Sequence, residues 1–224
     1  IKRIFKDLSK EELRGDMIMK LQTAIDRVTL SKAEEMVKIF AGKTDIIEIG
    51  TSLIKDYGLF ALKQLNEYKK NSLLLADLKT CDEGAYEFKQ GYEQGFDILT
   101  VMGSSSRETL EKCYEVSQSY EKYMLIDLLE CSTEKIHEIA DFENAIYCLH
   151  TSVDKSGDHN IIEEIQKFKQ EFPQIQNICV AGGIKLDVCK ELKKENIQSV
   201  IVGSAITKAE NMEEELRKFK EVIK

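Results

Sequence analysis

Eight short, apolar runs rich in β-branched residues recur along this 224-residue chain, and segments with helical periodicity separate them. The runs cover residues 19–25, 46–49, 72–78, 98–102, 124–128, 145–149, 177–181 and 199–202. Four carry no charge and the other four a single one each, the pattern of parallel strands covered on both faces. Between them, segments such as 32–40, 60–68, 107–119, 161–171 and 186–195 place apolar residues at helical spacing with Lys and Glu opposite. Ser105 with Glu108 reads as a capping box opening one of these helices.

Eight β–α units of about 25 residues each fit a single (β/α)8 TIM barrel of the α/β class. An open doubly wound sheet is the competitor, but Ile25-Asp26-Arg27 follows the first strand and no GxGxxG motif is there. The only proline is Pro173, so a Pro-rich linker between two domains is absent. The expected organisation is a barrel over residues 17–224, preceded by an N-terminal extension or added segment at 1–16.

Charge narrows the partners. Lys plus Arg is 32 and Asp plus Glu is 40, giving a net charge of −8. That balance argues against nucleic acid and anionic membrane surfaces, which need clustered positive charge. The longest uncharged runs, 173–184 and 196–207, fall short of the ~18 residues of a membrane span. No apolar stretch follows the basic residues near the N-terminus, so no signal peptide is expected. The six cysteines form no CxxC pair, and Cys148 and Cys179 sit inside apolar runs. Reduced thiols, no disulfide framework and a cytoplasmic location are expected.

In a barrel, chemistry gathers at the C-terminal ends of the strands. Those ends supply Asp26, Glu48, Asp77 with Lys79 and Asp82, Asp127, His150, Gly182-Gly183 and Gly203-Ser204. The fourth strand runs into Gly103-Ser104-Ser105-Ser106 and lacks such a residue. Glu48 and Asp77 end neighbouring strands, where two carboxylates can share one hard divalent cation with waters and substrate oxygens. Each acid could instead cap the loop after its strand. No His/Cys cluster has zinc spacing.

The densest constellation is Asp77-Leu78-Lys79-Thr80-Cys81-Asp82. In an extended segment Asp77 and Lys79, two apart, point the same way. A lysine between two carboxylates is held protonated and aimed, ready to stabilise an enolate or donate a proton. Gly182-Gly183 after strand seven and Gly203-Ser204 after strand eight match the place where barrels present backbone N–H groups to phosphate. The imidazole of His150 suits a proton shuttle, while His137 and His159 fall in segments reading as helix and loop. Cys81 is a weaker candidate, for a reactive thiol.

Residues 21–26, 46–50, the run DLKTCDEG at 77–84, 149–151, AGGIK at 181–185 and VGSAIT at 202–207 together resemble the 3-hexulose-6-phosphate synthases. These belong to the orotidine 5′-monophosphate decarboxylase superfamily, with the 3-keto-L-gulonate-6-phosphate decarboxylases as sisters. The resemblance runs from about Met17 to the C-terminus and implies a ribulose-phosphate-binding barrel. It implies aldol condensation of formaldehyde with D-ribulose 5-phosphate to D-arabino-3-hexulose 6-phosphate, with Mg²⁺, or Mn²⁺ in its place, as cofactor. On this resemblance Glu48 and Asp77 are metal ligands, and Lys79 and Asp26 face the enediolate and the substrate hydroxyls. His150 is the proton-transfer partner on the same resemblance, while the place of Asp127 at a strand end makes it a further candidate substrate contact. Gly182, Gly183, Gly203 and Ser204 hold the phosphate, and Asp82 reaches across a homodimer interface into the partner's site.

The sister decarboxylase, and a barrel kept only to bind sugar phosphates, are the alternatives. His150-Thr151 and Ser204 favour the synthase, because the decarboxylases tend to carry arginines at these places. Ser152, Val153 and Ser204 depart from the usual synthase residues and leave the distal substrate contacts open.

Overall fold

Each apolar run forms a strand: β1 (Lys20–Ile25), β2 (Ile46–Ile49), β3 (Leu73–Thr80), β4 (Ile98–Met102), β5 (Tyr123–Asp127), β6 (Ile146–His150), β7 (Ile178–Ala181) and β8 (Ser199–Val202). The computed structural model of the chain describes residues 18–151 and 160–224. Every strand pairs in parallel with the next, and β8 pairs with β1 to close the barrel. The expected segment at 1–16 and residues Met17, Ser152, Val153 and His159 lie outside the described residues.

The helices are α1 (Leu30–Phe40), α2 (Thr51–Leu62), α3 (Gly84–Glu93), α4 (Arg107–Ser119), α5 (Thr133–Ile139), α6 (Ile161–Glu171), α7 (Leu186–Leu192), the one-turn α8 (Ser204–Thr207) and α9 (Met212–Ile223). Strand alternation separates two apolar layers. Outward residues such as Ile25, Ile47, Leu74, Val101 and Val200 pack against helix residues including Phe40, Phe88, Leu110 and Phe219. Inward residues Ile46, Leu73, Leu75, Ile98, Leu125, Ile146, Cys148 and Cys179 plug the barrel beneath its mouth. All six cysteines are free, and Cys148 and Cys179 are register neighbours on β6 and β7. Among the described residues no helix is long and apolar enough to cross a membrane.

Two local expectations are corrected. The helix expected at 60–68 is the end of α2 followed by a 3-10 turn over Lys63–Glu67. Apolar spacing continues through both, which hides the break in the sequence. Ser106, not Ser105, caps α4, accepting from the Thr109 N–H at 3.2 Å. Ser105 faces inward instead and donates to the Thr80 carbonyl at 3.4 Å.

Candidate active site

The barrel mouth gathers four strand-end acids, one lysine and one histidine. Glu48 on β2 is buried, and Gln22 on β1 donates to its Oε2 at 2.6 Å. Burial first, then the negative charge of Asp77, pushes the Glu48 carboxyl up to about 8 against the lowering effect of the Gln22 bond. Asp77 is also buried, and both of its oxygens are held. Thr51, at the start of α2, donates to Oδ2 at 2.6 Å, and Thr100, in the middle of β4, donates to Oδ1 at 2.9 Å.

Lys79 Nζ lies 3.3 Å from Asp77 Oδ2 and 2.6 Å from Asp127 Oδ2. The two β3 side chains therefore converge, but not because the segment is extended. The backbone of Lys79 is left-handed, at φ +49°, and the β3–β4 register shifts between Ala76 and Thr80. That bulge corrects the expected simple alternation. Burial works against the Lys79 ammonium, but the charges of Asp77 and Asp127 outweigh it and raise its pKa.

Asp127 ends β5 and is the hub of the site. Its Oδ2 accepts from Lys79, and His150 Nδ1 lies 2.9 Å from the same oxygen. Burial works to raise its carboxyl, yet the His150 hydrogen bond and the Lys79 charge hold it down at about 2. Nδ1–H donation to this carboxylate leaves His150 Nε2 as the ring nitrogen that can exchange a proton with a ligand.

Asp26 is exposed just beyond β1, where Ser52 on α2 donates to its Oδ1 at 2.8 Å. Its carboxylate rests against Gly50, where an added Cβ would come within 2.1 Å of Oδ1. Asp82 is exposed at the turn into α3, apart from this network. Gly182 and Gly183 follow β7 with φ of +116° and +61°, and nothing lies within 4 Å of where a Gly183 Cβ would stand. Gly203 caps the short α8, which begins at the exposed Ser204. The first N–H groups of that helix have no acceptor within it.

Thr51, Ser52, Thr100 and Gln22 were not singled out in the sequence. A signal did exist for two of them: Gln22 and Thr100 are polar interruptions within apolar runs, on inward-facing positions.

The donor set around Glu48 and Asp77 suits a hard divalent cation. Two buried carboxylates stand on neighbouring strands, Glu48 pushed up by burial and then by Asp77, and the buried Gln22 Oε1 has no partner. Among the described residues no group of three or more His, Cys, Asp and Glu side chains could hold a metal. The protein would therefore supply two carboxylates, with water and substrate oxygens completing the shell, as is common for Mg²⁺.

A sequence profile of the orotidine 5′-phosphate decarboxylase / HUMPS family matches residues 19–219. The 3-hexulose-6-phosphate synthase of Bacillus subtilis is 34% identical over 208 residues, covering 92% of this chain and 99% of that protein. Among solved structures, the 3-hexulose-6-phosphate synthase from Salmonella typhimurium has a TM-score of 0.84 at 28% identity, covering 92% of this chain and 98% of that one. The 3-keto-L-gulonate-6-phosphate decarboxylase from Vibrio cholerae shares the fold, with a TM-score of 0.80 at 22% identity over 92% of this chain and 98% of that one.

Proposed function

This chain belongs to the orotidine 5′-phosphate decarboxylase / HUMPS family as a carbon–carbon lyase, and on that footing we propose that it is a Mg²⁺-dependent 3-hexulose-6-phosphate synthase. The reaction is condensation of formaldehyde with D-ribulose 5-phosphate through an enediolate. The carrying observation is Asp127, which joins Lys79 and His150 at one carboxylate beside the Glu48–Asp77 pair. The names of the matched relatives support the substrate class.

Each residue has a task in this chemistry. His150 Nε2 takes the proton from C1 of the ketose, breaking the C–H bond and leaving the electron pair in the enediolate. Lys79 stands where its ammonium stabilises the developing oxyanion. Asp26 binds substrate hydroxyls at the rim. C1 then attacks formaldehyde, the new C–C bond forms, and the alkoxide takes the proton back from His150, so no proton is gained or lost. Glu48 and Asp77 would hold the divalent cation. When bound, that cation supplies positive charge for the two enediolate oxygens. Gly182, Gly183, Gly203 and Ser204 would present backbone N–H groups to the phosphate, which needs no basic side chain.

A homodimer with shared sites is part of the proposal. Phe60 on α2 and Tyr86 on α3 are exposed, at 74% and 63%, on consecutive helices around the turn that carries Asp82. That apolar surface supports burial against a second copy, with Asp82 entering the partner's mouth. The free thiols support a reducing, cytoplasmic setting.

The test compares two substrates on one preparation. With Mg²⁺, formaldehyde and ribulose 5-phosphate, formaldehyde should be consumed; absence of consumption sinks the synthase. Faster CO₂ release from 3-keto-L-gulonate 6-phosphate than aldol turnover would assign the sister decarboxylase.

A further inference from the structure

The β3–β4 ladder pairs Ala76 with Leu99 and Thr80 with Val101. Three residues of β3, Asp77, Leu78 and Lys79, therefore face a single residue of β4, Thr100. A bulge of this kind removes ladder bonds, and the freed backbone groups need other partners. The Thr100 side chain provides one. Its Oγ1 accepts from the Lys79 backbone N–H at 2.9 Å and donates to Asp77 Oδ1 at 2.9 Å. The directions are fixed, because an amide only donates, so the hydroxyl proton is left for the carboxylate. Thr100 is 3% exposed, so no solvent molecule readily replaces it.

We propose that Thr100 is a positioning residue that couples the two halves of the site, fixing the Asp77 carboxylate and the left-handed backbone of Lys79 through one hydroxyl. The left-handed turn is what sends the Lys79 ammonium back toward Asp77 and Asp127 rather than along the strand. Without the hydroxyl, the Lys79 N–H loses its acceptor and Asp77 Oδ1 its donor. Thr51 is the natural contrast, since it bonds Asp77 Oδ2 but makes no bond to Lys79. This inference rests on the proposed roles of Asp77 at the cation and Lys79 at the enediolate.

The experiment uses the full chain carrying Thr100→Val, Thr100→Ala, Thr100→Ser or Thr51→Val. Three quantities are read: the Mn²⁺ dissociation constant by water-proton relaxation, kcat and KM for condensation, and amide hydrogen exchange at Lys79 by NMR. Thr100→Val should lower kcat about thirtyfold with the sugar-phosphate KM within about threefold. It should also weaken Mn²⁺ about tenfold and speed Lys79 exchange at least about tenfold. Thr100→Ser should restore all three, and Thr51→Val should weaken Mn²⁺ while leaving Lys79 exchange unchanged.

If Thr100→Val does not fold, Thr100→Ala carries the same expectations. Loss in Thr100→Ser equal to that in Thr100→Val would assign the effect to the methyl and overturn the proposal. Equal kcat losses in Thr51→Val and Thr100→Val, with Lys79 exchange unchanged in both, would overturn the coupling. A wild-type protein without condensation activity would overturn the functional reading instead, while Mn²⁺ binding and Lys79 exchange still decide the role of Thr100.

Discussion

Lys79 and His150 share one oxygen: Asp127 Oδ2 lies 2.6 Å from the ammonium and 2.9 Å from imidazole Nδ1. The three residues come from β3, β5 and β6, which the parallel order β3-β4-β5-β6 sets along one arc of the barrel wall. The shared carboxylate fixes the ammonium proposed to stabilise negative charge relative to the imidazole proposed to move the proton. Asp127 is 3% exposed and bonded to both groups, so in the proposed reaction its effect is exerted through them.

Asp127→Asn should therefore reduce kcat about a hundredfold. It should also change stability in a pH-dependent way. The carboxyl is held at about 2 in the folded protein, below its ordinary value of 3.8. The stabilisation is present above the ordinary value and is lost as pH falls through the folded one. At neutral pH the wild type should exceed the variant by about 2 kcal/mol, shrinking between about pH 4 and pH 2. Denaturant unfolding across that range measures this, and a pH-independent difference contradicts it.

Glu48→Gln should separate metal binding from folding. In the metal-free protein the buried Glu48 carboxyl, raised to about 8, is largely uncharged at neutral pH, and the amide keeps that neutrality while still accepting from Gln22. The variant in EDTA should melt at the same temperature as the wild type or above it. Mg²⁺ should raise the wild-type midpoint through preferential binding to the folded state and leave the variant's unmoved. An equal Mg²⁺ response in both proteins removes Glu48 from the ligand set.

The proposed sharing of sites between two copies predicts complementation. Lys79→Ala and Asp82→Asn should each be nearly inactive alone. In a heterodimer of the two, one site combines Lys79 from one chain with Asp82 from the other. After subunit exchange, activity should return to about a quarter of wild type, because half of the dimers are mixed and each holds one intact site. No recovery in a mixture that has demonstrably exchanged would confine Asp82 to its own chain.

The sequence made the strands legible because their burial on both faces leaves nearly charge-free runs, and each of the eight lies within two residues of the observed strand. Strand-end acids were legible for the same reason, as charges bordering apolar segments. The bulge at Lys79 was not. A left-handed lysine leaves no mark in a residue pattern, and the alternation rule that predicted convergence with Asp77 reached the right pairing by the wrong geometry. Asp127 was read as a substrate contact, and its bonds to both Lys79 and His150 were not, since they depend on the register of β3, β5 and β6 in the barrel wall. Thr51 and Ser52 escaped notice because their hydroxyls begin a helix, where capping residues are expected, yet they hold Asp77 and Asp26.

The glycines after β7 offer a sharper test of phosphate binding than any charged residue, because the two should fail differently. Gly182 has φ +116°, and a Cβ there would stand 2.6 Å from the Thr151 carbonyl oxygen. Gly182→Ala should lose at least about 2 kcal/mol of stability through strain and the forced shift of that loop. Gly183 has φ +61°, and a Cβ there meets nothing within 4 Å. Gly183→Ala should lose only about 1 kcal/mol, the ordinary penalty of a left-handed residue with a side chain. Its methyl would occupy the open space where the phosphate is proposed to dock, so the sugar-phosphate KM should rise about tenfold with kcat within about threefold. Inorganic phosphate should inhibit the wild type competitively and the Gly183→Ala variant more weakly. A Gly183→Ala protein with unchanged KM and unchanged phosphate inhibition would move the phosphate away from this loop.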